Sequence, residues 1–252
     1  MYFLIAVLAS VNWLTDISAH AGASYELGWD EQLRGGYELG VDIDLASVKK
    51  WTLNVYVDHV TWVRSNHKNE TAFRISPEQI YFPVGLKLQY DFGAYQLAMV
   101  AHHQSNHDID STDPQLARET LAYEYYALEW LRGTTRASLG LLYDRGTRLD
   151  GTQQNWPFDY FLLGARLKTA ITYGGQWMSR LHLVYNLHRN RNADIARTDL
   201  GGTIDIGWHC DGKAARNRYW LGLTRLNNYQ YLGDTPRNLI LFGVEFESLP
   251  NL

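Results

Sequence analysis

The stretch Gln79-Ile80-Tyr81-Phe82-Pro83-Val84-Gly85-Leu86-Lys87-Leu88-Gln89-Tyr90-Asp91-Phe92 changes character at almost every step. Ile80, Phe82, Val84, Leu86, Leu88, Tyr90 and Phe92 share one face, and Gln79, Lys87, Gln89 and Asp91 share the other. Successive side chains of a β-strand point to opposite faces, so a period of two marks an extended segment with one apolar and one polar side. Its length exceeds the ~5–6 residues of a common soluble strand and suits one that crosses a bilayer at a tilt.

The pattern recurs outward in both directions. Over 36–46, Tyr37, Leu39, Val41, Ile43 and Leu45 oppose Glu38, Asp42 and Asp44. Over 176–188, Trp177, Leu181, Leu183, Tyr185 and Leu187 oppose Arg180, His182, Asn186 and His188. Near the end, Ile240, Phe242, Val244 and Phe246 alternate with Leu241, Gly243, Glu245 and Glu247. Strands are expected at about 23–30, 36–46, 50–63, 79–92, 94–105, 119–131, 135–145, 157–168, 176–188, 199–210, 217–226 and 238–247.

The connections alternate as well. Ser47-Val48-Lys49, Gly93, Arg132-Gly133-Thr134, the stretch around Gly174-Gly175, and Asp211-Gly212-Lys213 are short. The connections over 64–76, 106–118 and 189–198 are longer and polar. Short turns at one end and long loops at the other is the construction of a bacterial outer-membrane barrel. The reading is therefore all-β, a transmembrane antiparallel β-barrel of about twelve strands. An even strand count puts both termini at the short-turn, periplasmic end. A soluble lipocalin-like barrel would run the alternation inverted, apolar side inward, on about eight strands.

Composition agrees. Among 252 residues, 17 Tyr and 9 Trp exceed what a core of this size needs, and these are the residues that settle at bilayer interfaces. A formal net charge of -4 offers no basic surface for nucleic acid, and the single Cys210 excludes an intrachain disulfide. Residues 1–21 read as a signal peptide, with an apolar run over 3–8 and the small-x-small pattern Ala19-His20-Ala21, leaving 22–252 as the barrel. Against that reading, no Lys or Arg precedes the apolar run, and Asn12 and Asp16 interrupt it; an N-terminal strand or helix is the alternative.

If the apolar face meets lipid, the polar face fills the lumen with charges of both signs, among them Glu38, Asp42, Asp44, Asp58, Lys87, Arg166, Arg180, Asp205, Glu245 and Glu247. Paired charges in so narrow a barrel plug it rather than line an open pore. His59, His182, His188 and His209 fall at lumen or rim positions and are assigned no metal.

One segment carries candidate chemistry: Ala101-His102-His103-Gln104-Ser105-Asn106-His107-Asp108-Ile109-Asp110. Tyr95, Leu97, Met99, Ala101, His103 and Ser105 share a parity, and that parity is the lipid side. Two residues apart on a strand, His103 and Ser105 have backbones ~6.5 Å apart, near enough for imidazole to activate a hydroxyl. Placing both on a hydrocarbon-facing wall is costly unless they serve something there.

The run His103-Gln104-Ser105-Asn106 resembles the catalytic motif of outer-membrane phospholipase A, a twelve-stranded barrel with its His and Ser on the outer wall near the outer leaflet. Lipid A 3-O-deacylase barrels use a similar His-x-Ser-Asn on about eight strands, which this chain is too long to match. The phospholipase resemblance implies His103 as general base, Ser105 as nucleophile, and membrane lipids of the outer leaflet as substrate. It implies a third residue on the next strand that orients the imidazole, for which Glu119 is the candidate by parity and pairing. It further implies calcium, with Asp108, Asp110 and Asp113 as oxygen ligands in the adjoining loop, and a homodimer. The family's Gly after the Asn is His107 here. The pattern His103, Ser105, His107 and Asp110 also resembles a stretch in uncharacterised bacterial envelope barrels, which implies no activity. The readings to separate are therefore a lipid ester hydrolase and a non-catalytic barrel serving structure, adhesion or passage of a small solute.

Overall fold

The computed structural model describes residues 11–27, 33–65, 75–108, 119–144, 147–148, 162–189, 196–226 and 237–248. Its strands are β1 (Asn12–Glu26), β2 (Leu33–Val48), β3 (Trp51–Ser65), β4 (Ile75–Asp91), β5 (Gln96–Asp108), β6 (Glu119–Arg132) and β7 (Thr135–Asp144). There follow a two-residue β8 (Thr147–Arg148), β9 (Leu162–Tyr173), β10 (Trp177–Arg189), β11 (Ala196–Asp211), β12 (Ala215–Leu226) and β13 (Arg237–Ser248). The twelve long strands pair antiparallel in chain order, and β1 pairs with β13, so the sheet closes on itself as a barrel. Among the described residues, closure leaves no long edge strand with unpaired backbone groups, a condition for a sheet immersed in hydrocarbon.

The alternation lies with its apolar side outward. Leu86, Leu97, Met99, Leu128, Leu139, Ile204, Leu223 and Phe242 are all exposed. In water this wall would form an apolar patch far beyond the few hundred Å² that soluble proteins tolerate. In a bilayer it is the expected solvent contact. Among the described residues no helix is long and apolar enough to cross a membrane.

The lumen holds the polar complement. Arg180 donates from Nη1 and Nη2 to the two carboxylate oxygens of Glu245 at 2.6 Å each, and from Nη2 to Asp205 at 2.9 Å. Arg218 also reaches Asp205. Lys87 Nζ lies 3.4 Å from Glu129 and 4.9 Å from the Tyr56 ring centre, and the Arg166 guanidinium caps the Tyr125 ring at 4.4 Å. These inward-facing charges are paired with opposite charges or aromatic rings, which is how low-dielectric burial is made tolerable.

The first strand begins at Asn12 and so reaches back into the stretch read as a leader. Ala21 pairs with Leu39 and Phe246 on the outer face, and His20 between the alanines turns inward to Asp58, Nε2 to Oδ1 3.4 Å. The small-x-small pattern thus coincides with strand alternation in which the outer residues are small. A bulge between Trp13 and Asp16, with Leu14 at φ 50°, breaks the period where the reading faltered. The strand expected at 157–168 is β9, ending at Tyr173, because Gly174 and Gly175 supply the left-handed φ of 54° and 82° that a tight turn to β10 requires.

Candidate functional site on the outer wall

β5 carries the motif toward the long-loop end of the barrel, and its pairing fixes which way each side chain points. His103 pairs with Val84 of β4 and Ser105 with Phe82, both lipid-exposed residues. Directly opposed residues of an antiparallel pair share a face. His103 and Ser105 therefore lie on the outer wall, as the alternation required, and the His103 side chain is 45% exposed. Gln104, between them, is buried and accepts a 2.5 Å hydrogen bond from the Tyr123 hydroxyl. The adjacent His102 likewise turns inward, its Nδ1 2.7 Å from the Tyr56 hydroxyl. Three consecutive polar residues are thus sorted by parity alone.

The residue that meets His103 is Glu124, not Glu119. Across the β5–β6 hairpin His103 pairs with Glu124, and His103 Nδ1 lies 3.0 Å from Glu124 Oε1. Glu119 stands five positions further toward the loop, an odd offset that breaks the parity the motif requires, and its backbone pairs with Arg148 of β8. The hairpin register sets this result: His107 pairs with Thr120 and Ser105 with Ala122, placing the carboxylate two rows inward from the serine. Only 17% of the Glu124 side chain is exposed, so the contact is partly shielded. A carboxylate at Nδ1 leaves Nε2 as the free nitrogen, the one a general base offers to a hydroxyl. Among the described residues no hydrogen bond joins His103 to Ser105, which is common before a substrate tightens such a site.

Of the expected metal ligands, Asp110 and Asp113 lie outside the described residues, and Asp108 is the last residue of β5. No group of three or more His, Cys, Asp or Glu among the described residues could hold a metal ion. His59, expected in the lumen or at the rim, stands on the outer wall instead: its ring stacks on lipid-exposed Phe82 with centroids 4.9 Å apart.

No family model matches the chain, and no curated protein matches it in sequence. Solved structures do. Outer membrane phospholipase A from Escherichia coli, as an active-site mutant, superposes with a TM-score of 0.52 at 11% identity, over 94% of this chain and 91% of that one. A Salmonella typhi outer membrane phospholipase dimer with bound calcium gives 0.47 at 12%, covering 93% and 90%. The translocator domain of the autotransporter NalP from Neisseria meningitidis gives 0.42 at 10%, covering 98% and 94%. At 11% identity the first of these superpositions shows the fold alone. Closed twelve-strand architecture and a lipid-facing wall together define a β-barrel of the bacterial outer membrane.

Proposed function

We propose that this barrel hydrolyses ester bonds of membrane lipids on its outer wall, with Ser105 as nucleophile, His103 as general base and Glu124 as the group that orients His103. The observation that supports the reading is the 3.0 Å contact from His103 Nδ1 to Glu124 Oε1 on a face that otherwise meets hydrocarbon. A buried-side ion pair in the lumen is explained by packing. A carboxylate hydrogen-bonded to imidazole on the lipid side has no such explanation and costs free energy.

The steps follow from the geometry. Ser105 Oγ attacks the acyl carbonyl of a lipid lying against β5 while His103 Nε2 takes the hydroxyl proton. The same nitrogen returns that proton to the leaving alcohol, and water then releases the fatty acid by the reverse exchange. Glu124 holds the ring in one orientation and stabilises the imidazolium formed in each half. Calcium and dimerisation enter only through the resemblance, with Asp108, Asp110 and Asp113 as the suggested ligands, so no step above is routed through a metal. Refolded protein mixed with phospholipid vesicles tests the reading: fatty acid is released, and Ser105→Ala stops the release. A wild-type barrel that releases none, with and without added calcium, sinks the hydrolase.

The second reading is a non-catalytic barrel, favoured by the missing hydrogen bond between His103 and Ser105. Within it, an open channel fits poorly with a lumen crossed by the Arg180, Asp205 and Glu245 ion pairs.

A further inference from the structure

His59 is a second imidazole on the lipid-facing wall, and the chemistry above does not use it. On β3, it pairs with Leu39 of β2, its ring lies parallel to Phe82 within 10°, and Tyr37 meets it edge-on at 5.7 Å. Phe82 is in turn the pairing partner of Ser105. His59, Phe82 and Ser105 therefore occupy one row across β3, β4 and β5, with the two polar residues two strand spacings apart, ~9.5 Å at the backbone. An outer-wall groove of about 580 Å³ opens at His59 and Phe82 and continues past Val57, Val41 and Ala21 to Phe246. Apart from His59 and the rim, its outward lining is aliphatic and aromatic.

The imidazole has one nitrogen committed. His59 Nε2 lies 3.0 Å from the Thr61 hydroxyl, which is fully buried. With that hydroxyl donating, Nδ1 carries the ring proton and is a donor. Among the described residues Nδ1 has no partner, and a polar donor on a hydrocarbon-facing wall is costly to leave unpaired. A lipid whose ester reaches Ser105 brings a charged acceptor to this distance when it carries a phosphate a few bonds from that ester. We propose that His59 is a specificity-determining residue: its Nδ1 donates to the phosphodiester of a glycerophospholipid seated over Phe82, with the acyl ester at Ser105 and a chain in the groove. This assignment rests on Ser105 being the reacting hydroxyl, but its test does not require turnover.

The full chain in detergent micelles is titrated with a short-chain phosphatidylglycerol and with the matching diacylglycerol, and bound lipid is counted by native mass spectrometry. Wild type should prefer the phospholipid by roughly tenfold, the effect of one hydrogen bond to a charged group. His59→Phe should erase that preference by weakening only the phospholipid, and His59→Gln, which keeps an N–H, should retain part of it. The heat-dependent gel mobility of folded barrels checks that both variants fold. Equal weakening of both lipids would make His59 an apolar packing residue, and an unchanged preference would remove it from recognition; either result overturns the proposal. Absence of ester hydrolysis with the preference intact would instead count against Ser105 chemistry alone.

Discussion

The inside and the outside of this barrel spend their charged residues differently. In the lumen, Asp205 is 3% exposed and meets both Arg180 and Arg218, and Arg180 reaches on to Glu245. On the outer wall, His103, Ser105 and Glu124 interrupt a surface made of Leu97, Met99, Phe82, Val84, Tyr126 and Leu128. Inner charges are what the alternation leaves over once the apolar side faces lipid, so their role is packing. Outer polar residues gain nothing from the alternation, and the hydrolase reading proposed above rests on their grouping.

The largest effect should come from the outer wall. Ser105→Ala, measured as fatty-acid release at constant folded fraction, should lose activity by on the order of a thousandfold or more, with barrel stability unchanged. Glu124→Gln should cost less than the nucleophile, roughly ten- to a thousandfold, since an orienting group acts through the base. Glu119→Gln, assayed beside it, should leave turnover unaltered; an inverted result would restore the residue the register rejects.

Why Glu119 was the reading from sequence and Glu124 the finding is a matter of hairpin register. Strand alternation fixes parity within one strand, but pairing across a hairpin depends on the loop that joins the strands. On β6 even the parity is obscured, because Tyr123 and Tyr125 face the lumen while Tyr126 faces lipid, so aromatic residues mark both sides. β4 has no such ambiguity, and its outward row was legible residue by residue. β1 is hard to read for the opposite reason: Ala19, Ala21 and Ala23 make an outer face too small to register as hydrophobic alternation, and the bulge at Trp13 shifts it. His59 was legible as polar, yet its side became clear only through its stacking on Phe82.

The inner charges should answer in stability instead of turnover. Asp205→Ala leaves two guanidinium groups short of their carboxylate and should cost about 3–5 kcal/mol of barrel stability in a urea unfolding series. Activity per folded molecule should be retained. The smallest effect belongs to the exposed pair at the short-turn end, where Arg216 Nε donates to Asp211 Oδ1 at 2.6 Å. Arg216→Ala should shift stability by no more than ~1 kcal/mol in the same series. Were Asp205→Ala the more damaging change for turnover per folded molecule, the division between inner packing and outer chemistry would fail.

The most direct measurement of the central claim is covalent capture of the nucleophile. Folded barrel in detergent is treated with a long-chain alkyl fluorophosphonate, which adds to an activated serine with loss of fluoride, and the adduct is located by peptide mass spectrometry. The account predicts a single modified residue, Ser105, labelled rapidly in wild type, slowly in Glu124→Gln and not measurably in His103→Ala. Labelling spread over other serines, or an equal rate at Ser105 with and without His103, would contradict it.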